Sequence, residues 1–127
     1  MSEAIETKNS SLWLGDDGIV RAWQKPKTDS SLKDIIDFIT AFERLAGGKP
    51  RPLLVDIGGI RSITKEARKF VTGDDPVKMI LAAAIIVGSP LSRLIGNFFL
   101  GLNRPKVAVK LFDSEEKAIE WLKGYLK

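Results

Sequence analysis

The residues best equipped to do chemistry fall in one short stretch, Asp56-Ile57-Gly58-Gly59-Ile60-Arg61-Ser62-Ile63-Thr64-Lys65. Gly58 and Gly59 let a backbone come close to a bound group. Arg61, Ser62, Thr64 and Lys65 supply cations and hydroxyl donors. Such a set suits an anion or an acidic group of a partner, because the stretch ends a predicted strand and precedes a predicted helix. Ligands of open α/β sheets gather at the carboxyl ends of strands, and helix N-termini attract anions. The Gly-x-x-x-x-Gly-Lys spacing of a phosphate loop is absent. A tight strand-to-helix turn with a cap fits the same residues. Asp56 is the one acid inside a predicted strand, and no partner for it as a general base is evident in the sequence.

Other chemistries are excluded by what the chain lacks. It has no cysteine and no histidine. Disulfides, thiolate metal sites, thiol nucleophiles and a Ser-His-Asp triad therefore cannot be built, and the usual base near neutral pH is missing. Asp16-Asp17 reads as turn chemistry, Asp74-Asp75-Pro76 as a turn and Glu115-Glu116 as helix-start acids. No constellation amounts to an active site. The expectation is a chain that is not an enzyme and uses no cofactor or metal.

Charge is unevenly placed. The net +4 divides into −1 over residues 1–60, +6 over 61–110 and −1 over 111–127. A basic middle attracts anionic partners or lipid surfaces, although a solvated helix face has the same composition. Basic residues are not interleaved with aromatics, so nucleic acid is not an expected partner.

These residues must be held by elements legible in the pattern. The N-terminal residues 1–11 read as a polar lead-in without the apolar segment of a signal peptide, and residues 12–127 as one domain. Leu12–Leu14 and Ile19–Trp23 form a hairpin around Gly15-Asp16-Asp17-Gly18. Ser31 and Asp34 make a capping box for a helix from Leu32 to Ala46, apolar at Leu32, Ile35, Ile36, Ile39, Phe42 and Leu45 and stopped by Gly47-Gly48. A strand spans Pro52–Ile57, and Thr64 caps the helix that follows.

Met79–Val87 is a continuous run of nine apolar residues. It reads as a central strand covered on both faces, since a membrane span needs about 20 such residues. Ser89 and Pro90 open a helix whose core stripe centres on Leu91, with Leu94, Ile95, Phe98 and Leu102. Arg93, Gly96, Phe99 and Leu100 then fall on its flank and outer side, where an apolar patch would serve a two-fold homodimer or another partner. Val107–Phe112 is the last strand, and Asp113 with Glu116 caps the last helix. The order β-β-α-β-α-β-α-β-α implies a mostly parallel α/β sheet with an antiparallel N-terminal hairpin.

Two stretches in this order, "LLVDIGGIRSITKEARKF" and "VKLFDSEEKAIEWL", resemble the STAS domain of anti-sigma-factor antagonists and its SpoIIAA-like relatives. The likeness runs from about Leu12 to Leu126. It implies a non-catalytic regulatory or protein-interaction module of the cytoplasm. In the antagonists a serine at the start of the helix after the third strand is phosphorylated by a partner kinase. The matching positions here hold Thr64 and Lys65 in place of an Asp and that serine, so the phosphorylatable residue is missing. Ser62 and Thr64 are the nearby hydroxyls. The alternative expectation is a carrier or sensor of a small apolar or lipid-like ligand at an anionic membrane surface.

Overall fold

A computed structural model describes residues 4–71, 79–101 and 108–126. Among the described residues eight strands and four helices follow in the order β1 (Ile5–Glu6), β2 (Ser10–Leu14), β3 (Val20–Gln24), β4 (Thr28–Ser30), α1 (Leu32–Ala46), β5 (Arg51–Asp56), β6 (Ile60–Ile63), α2 (Lys65–Val71), β7 (Ile80–Ile86), α3 (Pro90–Gly101), β8 (Ala108–Phe112) and α4 (Glu115–Lys123). Six strands form one sheet in the order β1-β2-β3-β5-β7-β8. β1, β2 and β3 pair antiparallel, whereas β3-β5, β5-β7 and β7-β8 pair parallel. The mostly parallel sheet with an antiparallel hairpin at its leading edge is the architecture expected from the pattern.

Local signals set most of the boundaries. The hairpin turn closes with Gly18 N–H donating to Gly15 O and Gly15 N–H to Ile19 O. Asp17 Oδ1 accepts from Ile19 N–H at 3.1 Å and holds Arg21 at 2.9 Å. α1 runs over the expected residues. Its Ser31–Asp34 capping box satisfies donors in both directions, and Gly47 ends it in the left-handed region at φ 68°. There a side chain would be strained, and glycine is not.

The sheet separates two apolar clusters. On one face Leu12, Val20, Ala22, Leu53, Val55 and Ile85 meet Phe42 of α1 and Ile95 of α3. On the other, Ile19, Leu54, Ala82 and Ala84 meet Ala118 and Leu122 of α4. Burial of β7 from both sides explains its long apolar run. No described helix is long and apolar enough to cross a membrane.

Several elements differ from the sequence reading. Ile5–Glu6, in the stretch read as a lead-in, pairs with Leu12 and Ser11 and extends the sheet by one strand. β4 and β6 form a separate two-stranded parallel sheet, so a strand stands between Gly59 and the following helix. Ile36 of α1 points outward, 42% exposed. α4 is capped by Ser114, whose side chain accepts from Lys117 N–H, one residue later than the Asp113–Glu116 box. The Ser hydroxyl does the work there because it is the residue with extended φ/ψ immediately before the helix.

The larger correction concerns α3. Leu91 is 44% and Leu94 57% exposed, while Ser92 is fully buried and Ile95 nearly so. The stripe facing the sheet is therefore Ser92–Ile95–Gly96. The helix start fixes this rotation: Ser89 Oγ accepts from Ser92 N–H at 3.1 Å, and Ser92 Oγ accepts from the N–H groups of Gly88 and Ser89 at 3.1 and 2.9 Å. Ser92 must then lie under the helix, against the strand end. Gly96 follows one turn later, where an added Cβ would lie 3.0 Å from Leu111 Cδ2 and 3.2 Å from Val87 Cγ1. Gly96 is consequently a close-packing residue, not part of the outer surface to which the apolar pattern assigns it.

Candidate functional site

The Asp56–Lys65 stretch is built around a turn at the carboxyl end of central strand β5. Asp56 Oδ1 accepts from Gly58 N–H at 2.8 Å, and Ile57 O accepts from Ile60 N–H at 3.0 Å. Gly59 passes against another turn. A Cβ there would lie 2.8 Å from Lys25 O and 2.8 Å from Pro26 Cα, closer than side-chain carbons approach backbone. The two glycines thus serve a turn and a backbone crossing, and neither requires a ligand.

β6 then carries Arg61 and Ser62 to β4, where they converge on Asp29. Arg61 Nε donates to Asp29 Oδ1 at 3.0 Å and Arg61 Nη2 to Asp29 Oδ2, while Ser62 Oγ donates to Asp29 Oδ1 at 2.7 Å. Hydrogen bonds from the Arg61 guanidinium first, and from the Ser62 hydroxyl second, hold the Asp29 carboxyl far below the usual carboxylate range. The same bond raises Arg61. Arg61 and Ser62 are indeed brought together around a carboxylate, and that carboxylate belongs to this chain. The Thr64 hydroxyl is also engaged, accepting from Ala67 N–H at 3.1 Å as the cap of α2. Lys65 stands exposed in the first turn of α2.

β6 touches α3, whose start is exposed, and α2 packs on α1. Pro90, Leu91, Arg93, Leu94 and Asn97 face outward there. Of the four residues expected at a contact surface, Arg93 is exposed and Gly96 is buried. The side chains of Phe99 and Leu100 lie outside the described residues. Among the described residues no group of three or more His, Cys, Asp or Glu is arranged to hold a metal ion.

Comparison with known proteins gives a family. The model for a domain of unknown function, DUF7793, matches residues 12–126. The chain belongs to the DUF7793 family. This DUF7793 domain is similar in structure to an uncharacterised DUF3478-family protein with a SpoIIAA-like fold from Shewanella loihica PV-4. The TM-score is 0.57 at 16% identity, over 96% of this chain and 92% of that one. At that identity the likeness shows the fold, which is SpoIIAA-like. A protein of unknown function from Arthrobacter sp. FB24 matches at 28% identity over 93% of this chain and 95% of its own, with a TM-score of 0.34. No curated protein matches the DUF7793 chain.

Sequence reasoning missed Asp29, Leu91 and Leu94 as surface features of the DUF7793 domain. Asp29 lies 32 residues before Arg61 and in no motif with it. Only the β4–β6 pairing joins them. An apolar pattern assigns the leucines to the core because it ranks Leu above Ser and Gly. The available signal was the Ser89-x-x-Ser92 spacing, a reciprocal cap that sets the helix rotation.

Proposed function

We propose that this DUF7793 domain is a non-catalytic protein-interaction module whose contact surface is the outer face of α3. One observation carries the reading: Leu91 and Leu94, three residues apart on one exposed side of a helix, are 44% and 57% solvent-accessible. Scattered exposed leucines are ordinary, but two on adjacent turns next to Arg93 make an apolar patch with a cationic edge. A partner suited to it offers an apolar anchor, and a second copy of this chain meeting it across a two-fold axis supplies one in its own Leu91 and Leu94. The SpoIIAA-like fold supports an interaction role by analogy only. The reading includes no phosphorylation switch, since Thr64 and Lys65 stand where the anti-sigma-factor antagonists have an Asp and the target serine, and the Ser62 hydroxyl is held by Asp29.

The test is Leu91→Ser with Leu94→Ser, examined by sedimentation beside the wild type. A self-associating wild type and a monomeric, folded variant support the reading. A wild type that stays monomeric, with Leu91 and Leu94 untouched by any captured partner in cross-linking, removes it. Flotation of the wild type with anionic vesicles, abolished by the same substitutions, would favour instead the reading of a sensor at a lipid surface.

A further inference from the structure

We propose a second recognition site on the opposite face of the sheet, at Trp23 and Asp56, that takes the guanidinium of an arginine in a basic peptide segment. Side chains alternate between faces along a strand. Val20 and Ala22 of β3, and Leu53 and Val55 of β5, enter the cluster under α1 and α3. Trp23 and Asp56 must therefore project from the other face. They are register partners there, and Asp56 is in turn the partner of Ile86. Ile86 packs against the cluster beneath α4. α4 rests chiefly on β5, β7 and β8, so this helix leaves the β3 side of the row open. Trp23 is accordingly 44% exposed.

The charges around this row make it selective for a cation. Asp56 uses Oδ1 for Gly58 N–H, and its Oδ2 has no hydrogen-bond donor among the described residues. Two neighbouring acids on this face are already matched. Asp17 is paired with Arg21 at 2.9 Å, and Glu6 with Lys25 at 3.3 Å. Lys25 also donates to Thr7 O, and Ser11 Oγ to Glu6. Asp56 thus keeps an open oxygen directly across from the exposed indole of Trp23, on strands whose backbones lie about 4.8 Å apart. A planar cation lying on the indole reaches that oxygen with its edge. Arginine meets both demands, because its guanidinium stacks on aromatic faces and presents several N–H donors in one plane. The surface is an open sheet face without walls, so the cation needs the further contacts of a peptide to be retained. The whole chain carries +4, which disfavours unspecific attraction of a polycation and confines its capture to such a local acid.

The probe is a short capped peptide alternating glycine and arginine, with a glycine–glutamate peptide as control. The readout is the indole N–H signals of the three tryptophans in a ¹H–¹⁵N spectrum, assigned with Trp23→Phe. The expected result is a saturable shift of the Trp23 signal with the arginine peptide and none with the control. Asp56→Asn, which keeps an acceptor for Gly58 N–H, should weaken binding about fivefold, and Trp23→Leu by a similar factor. An unshifted Trp121 signal, from a ring packed on Phe112 and Tyr125, reports that each variant is folded. No binding at millimolar peptide, equal shifts with the glutamate peptide, or unchanged affinity in either folded variant overturns the proposal.

Discussion

Replacing Gly96 by leucine should destabilise the protein, and replacing Leu94 by serine should cost less. Both substitutions sit on α3, two residues apart, and they test its rotation. At Gly96 the first added carbon already lies 3.0 Å from Leu111 and 3.2 Å from Val87, before the rest of the side chain is placed. Overpacking of this kind costs up to about 3 kcal/mol. The helix gains roughly 0.8 kcal/mol from losing an interior glycine. A net loss of up to about 2 kcal/mol remains. At Leu94 more than half of the side chain is in water. Full burial of a leucine contributes about 1.5–3 kcal/mol, so roughly 1 kcal/mol is at stake. Urea denaturation followed by circular dichroism measures both, with midpoints compared at equal slope. If leucines formed the buried stripe, the signs would separate cleanly. Gly96→Leu would then be neutral or stabilising by about 0.8 kcal/mol. Leu94→Ser would cost 2–5 kcal/mol, like other buried truncations. That ordering would refute the rotation and, with it, the outward-facing patch.

Ser31→Ala should cost about 1 kcal/mol by urea denaturation, because it removes the cap that accepts Asp34 N–H and leaves α1 half-capped. Gly59→Ala should lose about 1–3 kcal/mol despite alanine's smaller backbone entropy cost, since the new methyl meets backbone atoms at Lys25 and Pro26 that have no side-chain freedom to yield. Asp29 has a folded-state carboxyl held below its ordinary value by Arg61, so its contribution is present above the unfolded carboxylate range and fades as pH falls below that range. Asp29→Asn should therefore flatten the acid side of the stability–pH curve slightly, the pair being exposed and the effect small; a steeper acid limb in the variant contradicts the assignment.

Much of the fold is legible because its signals are local. A capping box acts between Ser31 and Asp34, a hairpin turn between Gly15 and Ile19, and the Ser89–Pro90 start over adjacent residues. Each is a contact within a few positions, so residue identity nearly decides the geometry. The nine-residue apolar run at Met79–Val87 marks β7 as the doubly covered strand, and strand–helix alternation gives the parallel sheet. The candidate site is less legible. Gly58 to Lys65 announces donors and a turn, and both are present, but the anion that Arg61 and Ser62 meet is Asp29, supplied by a strand far away in sequence.

The element order, the caps, the turns and the membership of apolar residues in strands that need two covered faces can all be read along the chain. Which way amphipathic surfaces turn, and which distant groups become neighbours, is set by packing in three dimensions. Ser92 and Gly96 face the sheet and Leu91 and Leu94 face water because the inner seam of α3 is narrow, with Leu111 and Val87 pressing on Gly96. Small residues fit such a seam, and the leucines are left outside. Trp23 stands exposed for a related reason: α4 covers part of a six-stranded sheet, and the short-range pattern of β3 carries no record of where that cover stops. Packing contacts depend on the opposing surface as much as on the residue itself. They emerge only when strands and helices distant in the chain are brought against one another.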